Sequence, residues 1–264
     1  MNLESYSQQY QRDGFLSGID ILSSASALRH RQALESAESK VGSLHYKTKV
    51  HTILRSAYEL SIDPGLLDIV ELCIGPDILL HNVTYIIKEP HSESHVSWHQ
   101  DLTYWGFSSD DQVSVWLALS PATRKSGCMK MIPGSHRQGK VEHELTDDES
   151  NVLLSGQTLG EVDESLAVLC ELEPGQASFH HGWTQHASTP NTSDDRRIGL
   201  NMQFLAPNVK QEKQANDSAI LVRGEDRYHH FEVDIAASTD LDPEGMIRQA
   251  ALELSYRKTA SARQ

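Results

Sequence analysis

Residues 78–87 read ILLHNVTYII, and they mark the point at which the chain changes from a helical to a strand-forming pattern. The run is rich in β-branched residues, which fit the pleated surface of a sheet. Five similar runs follow, separated by turn signals such as the Pro-Gly pairs at 133–134 and 174–175. These runs are residues 112–120, 128–132, 166–174, 176–181 and 197–205. Because no helical pattern intervenes, the spacing predicts an antiparallel sandwich or barrel.

Upstream of this run the pattern is mostly helical. Residues 21–41 predict a serine-capped helix, and residues 51–75 predict two shorter helices broken at Asp63-Pro64-Gly65. A terminal helix with a basic tail is predicted from Asp242 onward, and the polar segment 137–165 is interpreted as a long insertion between strands. We therefore expect one mainly β domain with flanking helices and an N-terminal helical layer. Its expected parts are a helical region at about 1–75, a β core at about 76–207 and a C-terminal extension at 208–264.

The composition is ordinary for a globular chain, with 38% apolar and 23% charged residues. No apolar run approaches the length of about 18 residues that a membrane span needs, and the polar N-terminus has no apolar signal-peptide core. We therefore expect a cytoplasmic location and no membrane partner. The net charge of −14 argues against nucleic acid as a partner, because binding to a duplex depends on a basic face.

The segment SWHQDLTYW, residues 97–105, predicts a metal site. If the segment is a strand, His99 and Asp101 share one face and Gln100 lies on the other. An imidazole and a carboxylate on one face can hold one metal ion. Two histidines and one carboxylate, with the other positions open, are the ligand set of non-haem Fe(II) oxygenases. His-x-Asp alone recurs by chance, so a third ligand from elsewhere in the chain is required.

A third ligand and a partner for an anion occur together further along the chain. His186 stands just before a Ser-Thr-Pro-Asn turn, and Arg196 and Arg197 open the next predicted strand. A buried arginine suits a carboxylate, because its planar fork donates two parallel hydrogen bonds. Arg197 would begin a strand beside the one that ends near His186, where it could hold the distal carboxylate of an iron-bound keto acid. We interpret Arg196 as the surface member of the pair.

Taken in order, these segments resemble the phytanoyl-CoA dioxygenase family, a branch of the Fe(II)/2-oxoglutarate oxygenases. The resemblance covers roughly residues 10–207, and it implies a double-stranded β-helix (jelly-roll, cupin-like) core. The matching motifs are DGFL at 13–16, IGPDI at 74–78, HQDLTYW at 99–105, SVWLAL at 114–119, GCMKMIPGSH at 127–136, and His186-Ala-Ser188 followed by Pro190-Asn191 and Arg196-Arg197. Ser126-Gly127 stands where relatives often have Asn-Gly, and the loops 89–97 and 137–165 match nothing in the family.

The resemblance implies an iron site and a co-substrate site. The implied iron ligands are His99, Asp101 and His186. The implied contacts of 2-oxoglutarate are Arg197, which holds its distal carboxylate, and the flanking residues Ser188, Trp116 and Thr84. The implied cofactors are Fe(II), 2-oxoglutarate and O2, and the reaction hydroxylates a C–H bond and releases succinate and CO2. Related halogenases have alanine or glycine in place of Asp101, so hydroxylation is favoured over chlorination.

The substrate is expected to be a small polar metabolite such as an amino acid, an amine or a phosphonate. A thioester carrier is strongly anionic, and a chain of net charge −14 without a basic cluster would repel it. Possible polar or aromatic contacts are Lys88, His95, Tyr104, Trp105, His181 and Arg223. Tyr104 and Trp105 are equally consistent with core packing, and for the pair His180-His181 packing is favoured over contact with the pocket.

Several alternatives stay open at this stage. They are halogenation or desaturation on the same scaffold, hydroxylation of an acyl-CoA or carrier-bound substrate, a cupin-like metal hydrolase or isomerase, and a binding protein that kept the fold without catalysis. A requirement for 2-oxoglutarate and oxygen separates the oxygenases from the last two. The sequence leaves the oligomeric state open.

Overall fold

The structure is a computed structural model that describes residues 3–146, 148, 150–153, 157–214 and 216–261. Its α-helices are α1 Leu3–Asp13, α2 Ser24–Val41, α3 Arg55–Ser61, α4 Pro64–Ile74, α5 Leu102–Trp105 and α6 Pro243–Ser261. Its strands are β1 Phe15–Asp20, β2 Ile78–Lys88, β3 Val96–His99, β4 Gln112–Ala118, β5 Met129–Met131, β6 His143–Leu145, β7 Gln157–Leu159, β8 Val168–Cys170, β9 Gln176–His181, β10 His186–Ser188, β11 Arg197–Leu205, β12 Ser218–Arg223 and β13 Glu232–Val233. Within these ranges no helix has the length and apolar character that crossing a membrane would require.

Two sheets form the centre of the molecule. The larger has the strand order β1-β9-β4-β11-β2-β12-β13, and the smaller has the order β3-β10-β5-β8. Neighbouring strands are antiparallel except β12 with β13. Strands β6 and β7 pair with each other inside the predicted insertion 137–165, of which residues 147, 149 and 154–156 lie outside the described residues. The predicted mainly β architecture with flanking helices is confirmed.

Helices form where the sequence predicts them, and local chemistry explains where two of them begin. Asp63 caps α4, because its carboxylate accepts a hydrogen bond from the backbone N–H of Leu66 at 3.1 Å. Pro64 fits the first turn of α4, where its missing N–H has no partner to lose. Ser23 caps α2 in the same way through the N–H of Ser26. The terminal helix α6 is also present, whereas the basic tail at 262–264 lies outside the described residues.

The larger sheet is apolar on one face and largely polar on the other, and β11 shows this most clearly. Alternate side chains of a strand point to opposite faces. One set belongs to the main hydrophobic core, which the sheet shares with α2, α3 and α4: Ile198, Leu200, Met202 and Phe204. The other set lines a cavity between the two sheets: Arg197, Asn201 and Gln203. Strand β2 repeats the pattern, with Val83, Tyr85 and Ile87 in the core and Asn82, Thr84 and Ile86 on the cavity.

The large sheet extends beyond the expected β core of 76–207 at both ends of the chain. Strand β1 pairs with β9 at one edge, and β12 pairs with β2 toward the other edge. Strand β1 has a single neighbour in the sheet. Short strands of this kind are stabilised by tertiary pairing more than by intrinsic propensity. The sequence pattern therefore did not predict either strand.

Candidate active site

A cavity of about 330 Å³ lies between the two sheets. Its walls come from β2, β4, β9 and β11 of the larger sheet and from β3, β5 and β10 of the smaller sheet. Tyr46 and Thr48, from the segment between α2 and α3, complete one side. Tyr256 and Arg257, near the end of α6, complete another. The cavity therefore brings together residues from both ends of the chain.

His99, Asp101 and His186 converge in this cavity. Their ligand atoms all lie within 4.8 Å of one another, and in the described part of the chain they are the one such group of metal-binding side chains. Nε2 of His99 is 3.4 Å from Oδ1 of Asp101, and Nε2 of His186 is 3.7 Å from the same oxygen. The pairing of β10 with β3 brings the two imidazoles together, because His186 on β10 lies opposite His99 on β3.

Backbone carbonyls fix the orientation of both imidazoles. Nδ1 of His99 donates to the carbonyl of Ser97, and Nδ1 of His186 donates to the carbonyl of Thr184, each at 2.9 Å. A histidine that donates through Nδ1 in its neutral form has its lone pair on Nε2. Metal-binding histidines are typically oriented in this way by a partner on the other ring nitrogen. Both Nε2 atoms therefore face the common point with a free lone pair.

Asp101 is held on its second oxygen. Oδ2 accepts hydrogen bonds from Oγ of Ser114 at 2.7 Å and from Nε2 of His180 at 3.1 Å, which leaves Oδ1 toward the two ligand histidines. Burial alone would raise the pKa of Asp101, but His186, His180 and His99 outweigh it and hold the pKa well below its usual value. Burial lowers the pKa of His186 well below its usual value. A carboxylate and a neutral imidazole are the forms that bind metal.

The segment around Asp101 corrects one expectation. The sequence pattern predicts one continuous strand through His99 and Asp101, but β3 ends at His99 and Asp101 has helical backbone angles (φ −59°, ψ −45°) at the start of α5. The chain turns there, and Gln100 uses its side chain to fix the turn by donating to the carbonyls of Gly139 and Trp183, both at 2.8 Å. The side chains of His99 and Asp101 still point to the same place, because the turn at Gln100 brings them together instead of the alternation of a strand.

Arg197 occupies another part of the cavity wall. It is 1% exposed, and its Nη1 donates to the carbonyl of Gly127 at 2.8 Å. Its guanidinium lies 5.1 Å from the centre of the Trp116 ring. Among the described residues no carboxylate pairs with it, and its Nε has no hydrogen-bond partner. Burial lowers the pKa of Arg197 only to about 10, so the group remains charged at neutral pH. A buried charge without a partner of opposite charge is energetically costly, so an anionic ligand would bind favourably here.

Two glycines allow this arrangement. A Cβ at Gly199 would lie 1.9 Å from the ring of Trp116, so the indole can lie across β11 only when that residue is glycine. Gly127 has φ of +76°, and a Cβ there would lie 2.2 Å from the carbonyl oxygen of Thr189. The glycine at 127 thus lets the loop present its carbonyl to Arg197.

The other predicted co-substrate residues also line the cavity. They are Thr84, Trp116 and Ser188. Arg196, by contrast, pairs with Glu38 and Glu89 away from the cavity, at 2.9 and 3.0 Å. The structure therefore separates the two neighbouring arginines. Arg197 opens β11 and lines the cavity, whereas Arg196 precedes the strand and pairs with Glu38 of α2.

The structure brings two of the predicted substrate residues to the cavity, Tyr104 and Trp105. Lys88 is instead buried against Ser188, to whose Oγ it donates at 2.8 Å, and burial followed by the charge of Arg197 lowers its pKa to about 6. His95 bonds to Ser150 in the insertion.

Two further residues named from the sequence lie outside the lining. His181 points away from the cavity because it follows the inward-facing His180 on the same strand, and its Nδ1 accepts the N–H of Trp183. Arg223 pairs with Asp68 and Glu71 on α4.

Several lining residues were missed from the sequence. The alternation of polar and apolar residues along 197–205 could have identified Asn201 and Gln203 as members of the face that carries Arg197. The same alternation along 176–181 separates His180 from His181. Tyr46 and Tyr256 had no comparable signal, because their position depends on how the chain ends fold over the sheets.

The chain is similar to known proteins in both sequence and structure. The family model for phytanoyl-CoA dioxygenase (PhyH) matches residues 19–199. A probable alpha-ketoglutarate-dependent hypophosphite dioxygenase from Stutzerimonas stutzeri is 32% identical over 145 residues, which are 53% of this chain and 50% of that protein. L-proline trans-4-hydroxylase from Streptomyces griseoviridis is 26% identical over 223 residues, covering 73% and 82% of the two chains. The chain spans about half the length of the first curated relatives it matches.

The solved structures show the same fold. The apo form of the non-heme monooxygenase ThoJ superimposes with a TM-score of 0.83 at 27% identity, covering 97% of this chain and 96% of that one. Other solved structures of this fold, at lower identity, contain iron together with alpha-ketoglutarate. The fold is thus the jelly-roll fold of the class of proteins to which these non-haem iron structures belong. Within that class, the chain belongs to the phytanoyl-CoA dioxygenase (PhyH) family.

Proposed function

We propose that the protein is an Fe(II)- and 2-oxoglutarate-dependent dioxygenase that hydroxylates a C–H bond of a small molecule and releases succinate and CO2. One observation carries the proposal. A His-Asp-His set with free Nε2 atoms shares one cavity with Arg197, a buried guanidinium that has no carboxylate partner among the described residues. The first arrangement suits a divalent metal, and the second suits the far carboxylate of a dicarboxylic keto acid.

The residues present fit the iron that the family implies. His99 and His186 would bind it through Nε2 and Asp101 through Oδ1, while Ser114 and His180 keep the carboxylate oriented through Oδ2. When bound, Fe(II) supplies the redox chemistry by which oxygen is activated, and the protein supplies position and exclusion of competing reactions.

The co-substrate site is proposed at the end of the cavity that holds Arg197. Its guanidinium would donate to the distal carboxylate of 2-oxoglutarate, and the Trp116 ring beside it would exclude water and strengthen that bond. Ser188 and Thr84 would flank the carbon chain. Because a dianion would neutralise the buried guanidinium, binding of 2-oxoglutarate would remove the cost of an unpaired charge.

Three features support the finer parts of the proposal. The presence of Asp101 supports hydroxylation over halogenation, because the carboxylate fills the position that a halide would need. A cavity of about 330 Å³ supports a small substrate. Two contacts support one catalytic domain over the described chain. The large sheet shares its core with α2, α3 and α4, and Lys49 forms a buried ion pair with Asp234.

Metal analysis and succinate detection test the function. We expect one Fe(II) per chain, with conversion of 2-oxoglutarate to succinate that stops when oxygen or iron is withheld. Turnover of any substrate without oxygen and without succinate would instead support a hydrolase or isomerase.

A further inference from the structure

We propose that the substrate is an uncharged, oxygen-bearing small molecule whose hydroxyl, carbonyl or ether oxygens are recognised by neutral side chains. The side chains that would bind these oxygens are Asn201, Thr48 and Tyr104. Asn82 and Gln203 also line this part of the cavity and are neutral, but their amides already bond to Lys49, Thr84 and Tyr256. The proposal rests on the proposed function, because it concerns the part of the cavity left free by the co-substrate. The relative named L-proline trans-4-hydroxylase acts, by its name, on an amino acid, so the proposal separates this chain from that protein.

The charges on the cavity wall favour an uncharged ligand. Asp101 is the one carboxylate among the described lining residues, and the proposed metal site uses it. The lining cations are Arg197, assigned to 2-oxoglutarate, and Arg257, whose charge is matched by Glu253 at 2.8 Å. A buried ion without a partner costs on the order of several kcal/mol. The ammonium group of an amine or an amino acid would therefore find no carboxylate on these walls.

The large sheet carries neutral amides along β11 beyond Arg197. Arg197 stands at one end of β11, and Asn201, four residues further, lies between Thr84 of β2 and Trp116 of β4, next to the proposed co-substrate site. Gln203 follows and lies beside Asn82 of β2. Passing along β11 from Arg197, the wall therefore changes from a guanidinium to two carboxamides. Amide groups both donate and accept hydrogen bonds, so they suit hydroxyl and carbonyl oxygens better than they suit a full charge.

Two hydroxyl groups add to this surface. Oγ1 of Thr48 and the phenolic oxygen of Tyr104 are buried and have no hydrogen-bond partner among the described residues, and both residues line the cavity. A buried hydroxyl without a partner costs about 1–3 kcal/mol, which a ligand oxygen in reach would recover. Burial raises the pKa of Tyr104 above its ordinary value, so this group stays neutral.

Matched probes can test the charge preference in the full chain loaded with Fe(II) and 2-oxoglutarate under anaerobic conditions, where no turnover occurs. Each probe set keeps one carbon skeleton and changes only the functional group: cyclohexanol, cyclohexylamine and cyclohexanecarboxylate, and the corresponding bicyclic decalin compounds. The shift in the thermal unfolding midpoint with probe concentration gives the Kd at neutral pH. We expect the alcohols to bind at least about tenfold more tightly than the ammonium and carboxylate members.

A variant that adds a carboxylate to the wall sharpens the test. Asn201 is partly exposed and isosteric with aspartate, so Asn201→Asp should improve ammonium binding by at least about tenfold relative to the alcohols. Gln8→Glu, which adds the same charge on the exposed surface of α1, should leave the preference unchanged.

The proposal is overturned if charged probes bind the unaltered protein as tightly as the alcohols, or if no alcohol binds. Titration with 2-oxoglutarate alone distinguishes a failure of the proposed function from a failure of the proposed substrate class. Absence of any stabilisation by 2-oxoglutarate would count against the proposed function, whereas normal stabilisation with the wrong probe preference would count only against the substrate class.

Discussion

At the scale of single residues, Asp101 contributes most to the proposed metal site, because it is the one carboxylate in it. Its two oxygens have different tasks, since Oδ2 is held by Ser114 and His180 while Oδ1 lies near both histidine nitrogens. Asp101→Ala should lower iron-dependent succinate formation by at least about a hundredfold, because the metal loses a charged ligand. Asp194→Ala, at a carboxylate that is 85% exposed, should leave the rate unchanged. Near-normal turnover by Asp101→Ala, with circular dichroism showing an intact fold, would remove Asp101 from the ligand set.

The two neighbouring arginines give a matched pair of variants. Arg197→Ala should weaken 2-oxoglutarate binding by about 2–5 kcal/mol, seen as a higher KM for 2-oxoglutarate, because a desolvated carboxylate loses its charged partner. Arg196→Ala removes ion pairs with Glu38 and Glu89 outside the cavity and should change this KM little. If Arg196 had the larger effect on KM, the co-substrate would lie elsewhere.

At the scale of secondary-structure elements, the packing of β4 against β11 depends on Gly199. Gly199→Ala should destabilise the protein by about 1–3 kcal/mol, because its Cβ would meet the Trp116 ring at 1.9 Å. The free energy of unfolding in urea measures this cost. In a Trp116→Ala background the same change should cost much less, since the clash has gone. Equal costs in the two backgrounds would mean that the indole does not set the requirement for glycine.

Most of the elements could be predicted from the sequence, and the exceptions have physical reasons. Strands β2, β9 and β11 were found because each has a long buried run or a clear alternation of residues. Strands β1 and β12 lie toward the edges of the sheet and depend on pairing with distant residues. His99 and Asp101 could be identified as candidate ligands although a turn, and not a continuous strand, joins them. The prediction depends on their residue types and spacing, which are the same in either backbone conformation.

The covering of the cavity could not be predicted in this way. Tyr46 and Thr48 belong to the segment before α3, and Tyr256 to α6, so they reach the site only through the tertiary fold. Gln249 helps to hold α6 there by donating to the carbonyl of Thr48 at 2.7 Å. No local pattern in the sequence reports such a contact, because it joins residues about 200 positions apart.

At the scale of the whole molecule, stability should depend on pH through His45. Nδ1 of His45 accepts the backbone N–H of Ile87 at 3.0 Å, and burial followed by the charge of Arg197 lowers its pKa to about 4. An unfolded histidine titrates near pH 6.5, so the unfolded chain binds more protons between about pH 6.5 and 4. Stability is therefore fully present above that window and is lost as the pH falls through it, by on the order of 2 kcal/mol from this residue.

Urea unfolding at several pH values checks this expectation. His45→Asn keeps an acceptor for the N–H of Ile87 and does not titrate, so its stability should fall less steeply between about pH 6.5 and 4. His91→Gln changes a histidine whose side chain is 65% exposed and should keep the steep dependence. An unchanged slope in His45→Asn would assign the pH dependence to other groups.

The proposed function requires one cavity to hold iron on His99, Asp101 and His186 and the far carboxylate of 2-oxoglutarate on Arg197. Calorimetric titration of 2-oxoglutarate into the iron-loaded protein, without oxygen, tests it most directly. We expect one 2-oxoglutarate to bind per chain, and we expect this binding to require iron and to be weakened by Arg197→Ala but not by Arg196→Ala. Binding that is equally tight without iron, or that is indifferent to Arg197, would contradict it.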